Sequence, residues 1–136
     1  MGVNYTNTLI AVAEDCPVTS AVIPHRNDEK PTIAAEQYRL ISERPYQLTS
    51  EDVIFEIVAN KQGIADDERP AARAEYFSTG RACLRTSPLA KKYGWGLHND
   101  AEGRLALVGM DTEEYRRLAA GENGTKVVRA MRSSRK

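Results

Sequence analysis

Arg85, Thr86, Ser87, Lys91 and Lys92 fall within one short stretch that holds no carboxylate. Ser87 is a helix-capping residue type, and Pro88 after it suits a first helical position. The stretch therefore predicts a short helix whose free N–H groups face back toward Arg85. An arginine, two hydroxyls and a helix N-terminus are the parts of an anion seat. Pro88 removes one donor, and "LAKKY" makes little more than one turn before Gly94. The same residues also have a structural account: Ser87 simply caps, and the lysines complement the far end of the turn.

Next comes "YGWGLH", with glycines on both sides of Trp95, the chain's one tryptophan. Such glycines let a backbone or ligand approach closely. The indole, with Arg85 and the lysines nearby in sequence, could stack a base or ring. Its bland alternative is a core anchor where a hairpin meets a helix. Asn99 stands where a dinucleotide fingerprint needs its third glycine, and no phosphate loop of the Walker kind occurs. Cys16 and His98 would make a nucleophile and base if the fold joined them, with Asp15 to orient the imidazole. Buried, inert cysteine is the commoner fate. His25 and His98 are too far apart for a zinc site, and no cofactor motif is present. The candidate ligand-binding set is thus Arg85, Ser87, Lys91, Trp95 and His98. Cys16 is a candidate nucleophile, and no metal or cofactor is expected.

A net charge of zero hides an uneven distribution. Residues 1–75 carry 13 acidic and 7 basic side chains, and residues 76–136 carry 6 and 12. The end of the chain, "KVVRAMRSSRK", holds five bases and no acid. Basic arms attract nucleic acid through phosphate charge. Alternatively the two halves of one domain attract each other, and the arm is a solvated end. At 136 residues one domain is expected, over 1–125, with 126–136 a partly flexible basic tail. The longest apolar run, Leu9–Ala13, is far short of the ~20 residues that cross a bilayer. No membrane association is expected, and two lone cysteines fit a reduced, cytoplasmic setting.

Hydrophobic patterning places these residues on elements. "TLIAVA" from Thr8 reads as a strand buried on both faces. Thr32 caps a helix over "IAAEQYRLISER", which Pro45 stops. Residues 52–61 are ambiguous. Val53, Ile54, Ile57 and Val58 suit a strand, whereas Thr49, Asp52 and Gly63 are helix-end chemistry and favour a helix. A further helix follows "DDE" and runs to about Phe77. "CLRT" is a candidate short strand. "WGLH" and "RLALVGM" flank "NDAEG" as a hairpin. Asp111 and Glu114 form a capping pair for a last helix ending at Gly121. The expected class is α+β: a small, mainly antiparallel sheet with a C-terminal hairpin, packed by three or four helices.

The segments "NTLIAVAEDCPVT", "YQLTSEDVIFE", "RTSPLAKKYGWGLHNDAEGRLAL" and "AMRSSRK" resemble a family of small bacterial proteins of unknown function. Within them, SPLxKxYGWGxH is the most specific signature. The resemblance implies a single-domain, cytoplasmic bacterial protein and supplies no activity. From the residues, the leading expectation is a binding domain for a small anionic ligand, such as a phosphorylated one. The rivals are a nucleic-acid-binding protein using the basic half and tail, a Cys/His-dependent enzyme, and an interaction module that forms homodimers.

Overall fold

A computed structural model describes residues 4–25, 32–80 and 83–133. Most of the polar loop between Pro24 and Pro31, Arg81, and the last three residues of the basic tail lie outside the described residues.

Strand β1 (Thr8–Ala11) is buried at every position, because both faces of the sheet around it are covered. The strand order is β3-β2-β1-β4. Strand β2 (Trp95–Asn99) runs antiparallel to β1 and forms a hairpin with β3 (Leu105–Gly109). Strand β4 (Lys126–Arg129) lies parallel to β1 at the other edge. The fold is α+β with a mainly antiparallel sheet, as the patterning predicts.

Side-chain alternation separates two cores. On one face, Ile10, Leu97 and Leu105 pack with α1 (Ile33–Glu43), α2 (Ser50–Gln62) and α4 (Pro88–Lys92), through Leu40, Ile41, Val53, Leu89 and Ala90. On the other, Leu9, Ala11 and Val108 pack with Leu118 and Tyr115 of α5 (Glu113–Ala119). Leu9, Ile10 and Leu97 are fully buried, each stabilising by about 1.5–3 kcal/mol through removal from water. Helix α3 (Arg69–Tyr76) docks on α2 through Arg73, whose guanidinium reaches Asp52 at 2.8 Å.

The ambiguous stretch is helical because both ends are fixed. Thr49 and Asp52 form a reciprocal capping box, and Gly63 takes a left-handed conformation (φ 66°) that closes α2.

Three expectations change. "CLRT" is no strand: Leu84–Thr86 form a 3-10 turn, whose N–H groups bond locally to Cys83 and Leu84 carbonyls. The cap of α5 is Thr112, which accepts from the Tyr115 N–H. Asp111 instead accepts from the Ala21 N–H. The segment read as a tail from residue 126 begins with β4, and Ala130 beyond it is buried. Its two valines suit a strand, and the free edge of β1 supplies Asn7 and Ala11 carbonyls at 2.8 Å for the Lys126 and Ala130 N–H groups.

Candidate functional site

Helix α4 is five residues long. Its cap, Ser87, is only 2% exposed. The hydroxyl donates to Gln37 Oε1 at 2.6 Å and accepts from the Leu89 N–H at 3.2 Å. Both bonds are made within the protein, so Ser87 ties α4 to α1. Gln37 is buried by the same bond, which explains a polar residue on the core stripe of α1. Lys91 follows one turn later, half-buried.

The two glycines beside Trp95 serve close approach within the chain. A Cβ at Gly96 would lie 2.8 Å from the Tyr115 ring, which rests on the sheet there. The Tyr115 hydroxyl then accepts from the Val12 N–H at 2.9 Å. Gly94 has a positive φ of 78° and sits against the Ser20 carbonyl. Trp95 is half-buried; its indole N–H donates to the Val22 carbonyl at 2.8 Å, and its ring lies 5.4 Å from that of Tyr38. Its polar handle is thus used to hold the loop after β1.

His98 is three residues further along β2, hence on the opposite face of the sheet and about 10 Å along the strand. Its Nδ1 lies 2.8 Å from the Tyr46 hydroxyl, and the rings meet edge to face. Burial lowers the imidazole pKa against opposing pulls from Glu114 and Asp100, and burial raises that of the phenol. The imidazole tautomer sets which of the two groups donates across this contact. Tyr46 holds this position with φ 57°, a left-handed conformation unusual for tyrosine. No sequence pattern marks Tyr46 as a partner of His98, because the contact depends on that turn.

Cys16 follows the C-terminal end of β1, whereas His98 pairs with Leu9 near its start. No contact joins them among the described residues. Asp15 accepts the Ser133 N–H at 2.9 Å instead of orienting an imidazole.

Arg85 lies beside the edge strand. Its Nε donates to the Arg129 carbonyl at 2.7 Å, and its carbonyl accepts the Met131 N–H at 2.7 Å. Its guanidinium also faces Tyr5, whose hydroxyl touches the Cys83 sulfur at 3.3 Å. Arg129 in turn donates to the Val12 carbonyl at 3.0 Å. Among the described residues, neither arginine has a carboxylate within 4.0 Å, and nor do Lys126 and Arg132 of the same edge. Arg69, Arg73, Arg104, Arg116 and Arg117 are all paired. Arg39, Arg44, Lys61, Lys91 and Lys92 are unpaired too, but they are spread over α1, its end, α2 and α4.

An open cleft of about 560 Å³ lies elsewhere, between α2 and α3. Arg69 and Arg73 line it, but Asp52, Glu56 and Asp66 line it as well and neutralise them. None of the sequence-predicted site residues borders it. The structure thus puts Arg85 on a basic edge, Ser87 and Trp95 in structural roles, and His98 with Tyr46 on the far face.

These features describe an α+β domain with one uncompensated basic edge and no assembled catalytic constellation among the described residues. A family model described as a family of unknown function (DUF6157) matches residues 1–136, and the chain belongs to that family. No curated protein and no solved structure matches it.

Proposed function

We propose that this chain is a cytoplasmic bacterial binding domain for an anionic ligand, with its contact surface along the β4 edge. The observation that carries the reading is the group of cations without carboxylate partners on one strand and its neighbour: Arg85, Lys126, Arg129 and Arg132. Arg73, which joins α3 to α2, has its charge balanced by Asp52 and Glu51, whereas Arg85 and Arg129 bond only main-chain carbonyls. A cluster without one keeps its field available to an anion from solution. The sequence-predicted seat moves accordingly. Arg85 stays in it, Arg129 joins it, and Ser87, Lys91, Trp95 and His98 leave it.

Nucleic acid is the second reading, supported by the exposure of Lys126, Arg129 and Arg132 along one edge. A polyphosphate backbone needs no pocket, whereas a small phosphorylated metabolite does. Fluorescence anisotropy with pyrophosphate as competitor and a labelled oligonucleotide as tracer separates them. Binding of either that weakens in Arg129→Gln supports the basic edge. Binding of neither at low salt removes the anion reading altogether.

A further inference from the structure

The β4 edge has a second property besides charge. Lys126 and Ala130 turn their N–H groups to β1, so alternation along the strand turns the N–H and C=O groups of Val127 and Arg129 outward. Arg85 occupies the Arg129 carbonyl. The Val127 N–H and C=O and the Arg129 N–H carry no bond to another segment among the described residues. On one face of that edge Val127 and Met131, 40% and 47% exposed, flank Arg129. An open row of main-chain groups with alternating apolar and cationic side chains is a template for an added strand.

We infer that the β4 edge docks an extended acidic peptide segment of a partner protein by strand addition, main chain to main chain. This rests on the anion reading above and names its ligand class. Charge selects the occupant. A second copy paired antiparallel about Arg129 would set Arg129 opposite Arg129 and Lys126 opposite Arg132, and like charges directly opposite repel. A strand bearing glutamates between apolar residues meets cations and valine in register. A nucleic acid would satisfy the cations but leave the outward N–H groups and the apolar positions unused.

The decisive variant is Val127→Pro. It removes the outward N–H without touching the bonds to β1 or the charge, and proline is tolerated on an edge in that orientation. The probe is an acetylated peptide of glutamate and valine in alternating pairs, titrated by anisotropy. The expected result is binding to the native chain that weakens by about tenfold in Val127→Pro. A peptide of the same sequence, N-methylated at alternate residues, should bind equally poorly to the native chain. That second probe decides the matter if Val127→Pro does not fold. Undiminished binding of the N-methylated peptide, or tighter binding of an oligonucleotide of equal charge, overturns strand addition while leaving the anion reading standing. No binding of peptide, oligonucleotide or pyrophosphate overturns both.

Discussion

Arg85 and Arg129 are joined side chain to main chain at 2.7 Å across the space between a 3-10 turn and an edge strand. Two guanidinium groups are thus held on one edge without a carboxylate to neutralise them. Removing the first should cost both structure and field. Arg85→Gln is expected to lose about 0.5–1.5 kcal/mol of stability in urea unfolding, the worth of one hydrogen bond. Anion affinity should fall with it, and Arg129→Gln, which loses the bond to the Val12 carbonyl, should lower affinity at a comparable stability cost. Anion affinity unchanged in both variants would contradict a shared role.

Ser87 makes the opposite prediction. Ser87→Ala leaves the Gln37 carbonyl oxygen buried without its donor and removes the cap of α4. The expected loss is about 1–3 kcal/mol, with affinity for pyrophosphate unchanged. A variant of native stability and reduced affinity would return Ser87 to the ligand site.

Gly96→Ala tests why the tryptophan is flanked by glycine. A methyl group there would lie within 2.8 Å of the Tyr115 ring. Overpacking should cost about 1–3 kcal/mol. Tyr115→Ala made alone should also destabilise, since it uncovers Leu9 and frees the Val12 N–H. The double variant should lose less than the two single losses added, because the clash is gone. Strict additivity would show that the ring does not need that glycine.

His98 gives the pH dependence. Burial depresses its folded pKa below the ordinary 6.5, although Glu114 and Asp100 pull it upward. The folded chain therefore binds that proton more weakly than the unfolded chain. Stability from neutral His98 is fully present above 6.5 and is lost as pH falls through the depressed value. Between about pH 8 and pH 5, the native chain should lose more unfolding free energy than His98→Gln does. Glu114→Gln, which removes an upward pull, should depress the imidazole titration further, as read by NMR. Equal losses in the native chain and His98→Gln would show that the pair is not desolvated.

Much of the architecture was legible because local chemistry and tertiary packing agree in it. Thr32, Thr49 and Gly63 stand where helix ends need them, and "TLIAVA" reads as doubly buried and is so. Less was legible where a residue's partner is distant in sequence. Ser87 looks like an anion seat until Gln37, fifty positions earlier, takes its hydroxyl. Trp95 and His98 look adjacent in "YGWGLH", yet their odd spacing on a strand puts them on opposite faces. That was readable once the hairpin was accepted. "KVVR" carried its own strand signal in two adjacent valines, outweighed by the surrounding basic residues. Tyr46 had no signal, since its role follows from a left-handed turn that glycine or asparagine would ordinarily mark.

The central claim is that anions meet this protein at the β4 edge. Amide chemical shifts of the isotope-labelled chain, followed as pyrophosphate is added at low salt, test it most directly. Shifts confined to Arg85 and residues 126–133, and abolished in Arg129→Gln, are the predicted result. Shifts centred on Tyr46 and His98, or on the cleft between α2 and α3, would contradict it.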